Sequence, residues 1–247
     1  AFGFGASSGG GGGPAYNEAS GGTKIPSGTA GNGYNYHVFL HPTTGGDDSD
    51  FVVSNIAAQG MFVQYLVIAG GGSGGSRNTP MECTGGGGAG GLRSNATNCS
   101  PGGPGTSAEP PYPMVVGTVP VTVGKGGGPK VNSPNATPGV DGGNSVFGTI
   151  TSVGGGGGGG NPSPPGGGRS GGSGGGARYN ATPTDFGPAV SPTTPMSGVT
   201  QVQGYKGGSP NANSPTVQLG GGGGGAGGNA SDYGGSNSVD AAGGPGK

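Results

Sequence analysis

Residues 63–75 read VQYLVIAGGGSGG, and the stretch changes character halfway. Val63 to Ala69 has the β-branched and aromatic composition of a buried strand. Gly70 to Gly75 carries almost no side chains. A chain that builds a core strand and then removes every packing atom needs a second way to hold its backbone.

The same contrast runs through the whole chain. Of 247 residues, 71 are Gly and 23 are Pro, while only 8% are charged and the net charge is −1. Aperiodic Gly and Pro at this level normally signal low complexity, and Gly loses the most backbone entropy on ordering. Disordered segments, however, are usually solvated by many charges, which this chain lacks.

Strand-like segments stand at 34–40 (YNYHVFL), 50–56 (DFVVSNI), 61–69 (MFVQYLVIA), 112–124 (YPMVVGTVPVTVG) and 144–154 (NSVFGTITSVG). Gly, Pro, Asp and Asn turns separate them, and no window shows helical period with caps. The pattern predicts an all-β fold of five to seven strands, a small β-sandwich with essentially no α-helix.

Glycine runs occupy 70–75, 85–91, 154–160, 166–176 and 220–228. Collagen is excluded, because its repeat needs bulk between every third Gly. Gly also weakens a sheet interior. The remaining ordered form is a polyproline-II-like helix of Gly, polyglycine II, with three residues per turn and about 3.1 Å rise. Such a helix makes no internal hydrogen bond, so it must bundle until each N–H and C=O meets a neighbouring helix. Ala89, Ser173 and Ala226 interrupt the runs and are expected on the bundle's outer surface. The predicted organisation is an N-terminal Gly/Ser arm at 1–33, a β-sandwich with Gly-rich insertions at 34–153, and a Gly/Pro-rich polyglycine II bundle with loops at 154–247.

The ordered blocks YLVIAGGG (65–72), GGGGAGGL (85–92), VPVTVGKGG (119–127), GGNSVFGTITSVGGGGGGG (142–160) and GGGGGAGG (221–228) resemble the glycine-rich domain of phage tail-fibre and marine bacterial surface proteins. The resemblance covers most of 34–235. It implies strands feeding a polyglycine II bundle and an extracellular structural or adhesive role without catalysis. A disulfide pair, Pro-rich insertions and sequons depart from the usual pattern of that family.

The cysteines are Cys83 and Cys99. An even pair around a short loop reads as one disulfide in an oxidising compartment, and closing such a loop stabilises by about 3 kcal/mol. Sequons stand at Asn95, Asn98, Asn135, Asn180 and Asn229, candidate N-glycosylation sites of a secreted chain. The start AFGFG, without Met, fits a processed secreted protein.

Chemistry-bearing motifs dissolve on inspection. The run 154–160 fits G-x-G-x-x-G only because everything in it is Gly, and no helix start follows. GGSGG at 71–75 and 171–175 fits G-x-S-x-G for the same reason. His37 and His41 on one strand face would stand about 13 Å apart, too far for one metal, and read as surface or turn histidines. Asp47, Asp48 and Asp50 form an oxygen-rich turn without the remaining ligands of a calcium loop, and a solvated turn is the plainer reading. No enzyme activity, cofactor or metal site is expected.

Scattered Lys and Arg exclude a nucleic-acid face, and the longest apolar run, 61–69, is about half a membrane span. Partners are therefore expected to be further copies of the chain, with Phe2 and Phe4 as candidate assembly contacts, or surface glycans and receptors met by Tyr112, Tyr179 and Tyr205 on Pro/Gly-rich loops. Those tyrosines equally suit the edges of the bundle. Two readings follow: the self-assembling subunit of an extracellular filament, and a phage tail-fibre or adhesin domain.

Overall fold

The computed structural model describes residues 2–3, 17–25, 34–42, 50–57, 60–77, 83–96, 109–129, 137–160, 166–179, 185–189, 202–210, 218–232 and 242–246. Among them the regular structure is all β, with no α-helix. The described residues hold thirteen strands: β1 (Phe2–Gly3), β2 (Glu18–Ser20), β3 (Thr23–Ile25), β4 (Tyr36–Val38), β5 (Phe51–Asn55), β6 (Phe62–Val63), β7 (Leu66–Ile68), β8 (Leu92–Ser94), β9 (Tyr112–Pro113), β10 (Gly117–Val119), β11 (Val121–Thr122), β12 (Ser145–Phe147) and β13 (Ile150–Ser152). They are shorter and more numerous than the sequence suggests, because Gly and Pro interrupt the apolar stretches. Residues 144–154, which read as one strand, reverse direction at Gly148 (φ 56°) and become the β12–β13 hairpin.

The strands form five small antiparallel sheets, ordered β1-β4-β3, β10-β5-β2, β11-β12-β13, β6-β9 and β7-β8. Period-two burial is clear in β5, where Phe51 and Val53 point inward and Val52 outward. Their inner faces share one apolar core around Phe51, Tyr65, Val67, Phe147 and Ile150, each at most 1% exposed. Phe147 lies near the centre of this core. Its ring centroid is 6.1 Å from Phe51, 6.3 Å from Tyr65 and 5.1 Å from Tyr112.

The segment expected as an arm contributes three strands, of which β1 pairs with β4. β2 pairs with β5 and β3 pairs with β4, and Gly21 and Gly22 (φ 106° and 59°) swing the chain from one sheet to the next. A Cβ on Gly21 would run into the Asp50 carbonyl oxygen. The polar composition of EAS and TKI hid these strands, since β3 is exposed throughout.

His37 corrects the expectation of surface histidines. It is 2% exposed, its Nδ1 lies 2.8 Å from the Gly21 carbonyl oxygen, and its ring meets Phe51 edge-on at 5.1 Å. Burial, reinforced by the Lys24 charge and opposed by the Gly21 contact, lowers its pKa below the usual 6.5. His41 is half-buried. Asp50 is exposed, yet its Oδ1 accepts from the Val121 N–H at 3.2 Å, whereas Asp47 and Asp48 lie outside the described residues.

Candidate functional site

The hydrogen bonds of 154–160 show how the glycines are held. Gly155 and Gly158 donate to the carbonyls of Gly70 and Ser73, and Gly156 and Gly159 donate to those of Ser173 and Gly176. Gly154 and Gly157 donate to the side-chain oxygens of Asn144 and Asp141. Each neighbour is therefore met again three residues later. That is the period of a polyglycine II helix.

The carbonyls of the same segment complete the pattern. Gly155 and Gly158 accept from Gly142 and Gly139, and Gly156 and Gly159 accept from Gly88 and Gly85. Gly154 and Gly157 accept from Gly172 and Arg169. All seven residues of 154–160 are buried, and the groups that bond 154–159 are main chain and the side-chain oxygens of Asn144 and Asp141. From Gly154 to Gly159, every N–H and C=O that burial would leave unpaired meets a neighbour.

The lattice extends sideways by the same rule. Ala69, Gly72 and Gly75 donate to Gly91, Gly88 and Gly85; Gly86 and Ala89 donate to Gly221 and Gly224; Gly174 and Ala177 donate to Tyr205 and Gly208. Gly244 carries it to the 242–246 segment by donating to Gly223. The bundle thus recruits 69–76, 85–91 and 137–144 as well as 154–160 and the segments that follow it. The Gly-rich insertions between strands and the later Gly/Pro-rich region form one lattice.

Sterics explain why these positions are Gly. A Cβ on any residue of 154–160 would lie under 3.0 Å from a backbone oxygen of a neighbouring helix. None of these residues has a positive φ, so conformational freedom is not the reason. Close approach is. Among the described residues the positive-φ glycines, Gly21, Gly22, Gly60, Gly117 and Gly148, all lie in the strand region.

Strand region and lattice meet at a seam of polar side chains. β7 runs directly into 70–75, 85–91 into β8, 137–144 into β12, and β13 into 153–160. At the crossing, Ser94 Oγ donates to the Tyr65 carbonyl, Ser145 Oγ to Ile68 and Ser152 Oγ to Gly91. Gln203, 1% exposed, accepts from the Val153 N–H at 2.7 Å through Oε1 and donates from Nε2 to Thr151.

Beside the seam, Arg93 and Glu109 form a forked ion pair, Nε to Oε1 at 2.9 Å and Nη2 to Oε2 at 2.6 Å, with each residue 3% exposed. The Tyr65 hydroxyl donates to Glu109 Oε2 at 2.9 Å. Burial, then the Glu109 charge, pushes the Tyr65 hydroxyl far above its ordinary pKa, so it remains a donor. In the sequence Arg93 is one of the scattered Arg residues. The available signal was its place at the end of a Gly run in a chain with few acids.

The expected surface position of Ser173 is also corrected. It is fully buried, its Oγ donating to the Gly225 carbonyl at 2.8 Å and accepting from the Tyr205 N–H. A hydroxyl can enter the lattice because it replaces the bonds its volume displaces. Ala89 and Ala226 are half-buried, nearer the expected edge.

Tyr112, expected on a loop, lies in β9 and packs on Phe147. Tyr179 and Tyr205 are half-buried at the bundle, where the Tyr179 N–H donates to the Cys83 carbonyl at 2.9 Å. Cys83 is half-buried, and its expected partner Cys99 lies outside the described residues. Asn95 uses both ends of its amide, Oδ1 accepting from Tyr65 N–H and Nδ2 donating to Val63. Asn229 is exposed, with Oδ1 taking the Lys206 N–H, while Asn98, Asn135 and Asn180 fall outside the described residues. Phe2 stands in β1 opposite His37, and Phe4 is outside the described residues.

Asp232 closes the far edge. It pairs with Lys206 Nζ and accepts from the Ser209 N–H at 3.0 Å, and Lys206 also lies 4.5 Å from the centroid of the Phe186 ring. Burial raises the Asp232 pKa, but the Lys206 and Ser209 contacts outweigh it and the net shift is downward. Among the described residues no group of three or more His, Cys, Asp or Glu stands together as metal ligands, and no helix is long and apolar enough to cross a membrane.

The family model of the glycine-rich domain matches residues 47–247. No curated protein and no solved structure matches the chain significantly.

Proposed function

This chain belongs to the glycine-rich domain family, and from that premise we propose that it is a non-enzymatic extracellular structural protein, the self-assembling subunit of a surface filament. The observation that carries this reading is the threefold bonding of the buried 154–160 helix. It gives a rigid, nearly uncharged body whose cohesion depends on backbone geometry. Because side-chain charge contributes little inside it, such a body should resist changes in salt.

Gly70 to Gly75 and the strand before it divide the labour. The strand region supplies a compact apolar core, and the lattice supplies a stiff block made almost entirely of main chain. A secreted load-bearing element needs both. Electron microscopy of natively secreted material tests the reading. Regular fibres that label with an antibody to this chain are expected, and a population of single particles alone would overturn it.

A further inference from the structure

Two of the sequon asparagines, Asn95 and Asn229, lie within the described residues, and the fold treats them in opposite ways. Asn95 follows β8 and turns both ends of its amide onto the main chain between β6 and β7. Oδ1 accepts from the Tyr65 N–H at 2.8 Å, and Nδ2 donates to the Val63 carbonyl at 2.7 Å. Val63 and Tyr65 are each 1% exposed. A sugar on that nitrogen would have to enter the core beside Val63 and would displace a bond made by a buried carbonyl. The amide of Asn95 serves the fold.

Asn229 stands at the far edge of the lattice, exposed, next to the buried Ala230. Its Oδ1 takes the Lys206 N–H at 3.2 Å, and among the described residues nothing bonds its Nδ2. The bond that orients this amide therefore uses the atom that glycosylation leaves alone, since a glycosyl asparagine keeps its carbonyl oxygen as an acceptor and gives up only one N–H. Ser231 completes the motif. It is exposed, and its hydroxyl has no partner among the described residues. The hydroxyls of Ser94, Ser145, Ser152 and Ser173, by contrast, each donate to a carbonyl of the seam or the lattice.

We infer that Asn229 carries an N-linked glycan and that Asn95 does not. The donor is an oligosaccharide joined through its anomeric carbon to a lipid phosphate. In the transfer the bond from Nδ2 to that carbon forms, the bond from the carbon to the phosphate oxygen breaks, the lipid phosphate leaves with the electron pair, and the amide nitrogen releases one proton. Transfer precedes closure of this edge. In the folded chain the Ala230 N–H donates to the Lys206 carbonyl and the Ser231 N–H to the Ala242 carbonyl, which ties down the main chain of the motif. Once the edge has closed, the sugar projects into solvent. This inference rests on the extracellular part of the proposed function and does not need the filament.

Natively secreted protein provides the test. It is treated with a peptide N-glycosidase in water enriched in heavy oxygen, digested and mapped by mass spectrometry, because release of a sugar leaves an isotopically labelled carboxylate at its site. Label at position 229 and none at position 95 is expected. Label missing from 229, or present at 95, overturns the inference.

A variant separates the motif from the fold. Ser231→Ala should remove the sugar from Asn229 and leave amide exchange in 154–160 unchanged, whereas sugar retained at Asn229 contradicts attachment through the sequon. The two readings fail separately. Single particles with sugar on Asn229 keep this inference and sink the filament, and regular fibres bare at Asn229 do the reverse.

Discussion

The N–H of Gly158 donates to the carbonyl of Ser73 at 2.9 Å, and Gly155, three residues earlier, makes the same bond to Gly70 at 2.9 Å. The repeat places two helices side by side along their length. Because no Cβ intervenes, they approach closely enough for main chain to bond main chain. Everything distinctive about the molecule follows from that spacing.

The first prediction separates glycines needed for approach from those that are not. A Cβ on Gly157 would strike the Gly139 carbonyl, whereas one on Gly74 would meet nothing nearer than the Gly85 oxygen at 3.5 Å. Gly157→Ala should cost about 3 kcal/mol through overpacking. Gly74→Ala should be neutral or gain up to about 1 kcal/mol by restricting the unfolded chain. Urea unfolding of the two variants beside the unaltered protein measures the difference, and equal midpoints would contradict the steric account.

A second prediction concerns Arg93 and Glu109. Removing one partner leaves an uncompensated buried charge, so Arg93→Met alone should destabilise by about 3–5 kcal/mol. Replacing both, with Glu109→Leu as the second change, should restore much of the loss. A double-mutant cycle gives the coupling, and additive losses would show that the pair does not act as a unit.

Ser173 provides a test inside the lattice. Its Oγ bridges the Gly225 carbonyl and the Tyr205 N–H. Ser173→Ala leaves both buried groups short of a partner and should cost about 1–3 kcal/mol, although its Cβ is already accommodated. Thermal unfolding measures it, and an unchanged midpoint would mean the bridge contributes nothing.

His37 sets the acid side of the stability profile. Its folded pKa lies below the unfolded value of 6.5, so the unfolded chain binds the additional proton. Stability is therefore full above about pH 6.5 and falls as pH drops through the interval between the two values, by at most about 1.4 kcal/mol per pH unit. His37→Phe should flatten that part of the profile. A slope unchanged by the substitution would assign it to other groups.

How much of this was legible beforehand depends on side chains. The switch at Ala69–Gly70, the absence of helix and the need for glycine helices to bundle follow from composition and backbone bonding. β2 and β3 did not declare themselves, because their residues are polar and two glycines of positive φ decide their direction. Nor did Ser173, whose burial depends on which carbonyls surround it. Arg93, Glu109 and Tyr65 come together from positions far apart in sequence, and no local pattern marks such a meeting. The Gly runs show that a lattice must form; its neighbours are set by the strands that deliver each run to the seam.

The central claim is that the buried glycine helices are ordered by main-chain bonds to one another. Native-state hydrogen exchange resolved at Gly155, Gly156, Gly158 and Gly159 tests it most directly. The account predicts that these amides exchange among the slowest in the molecule, together with those of β12 and β13, opening only when the whole domain unfolds. Exchange at random-coil rates in 155–159 while β12 and β13 stay protected would contradict it.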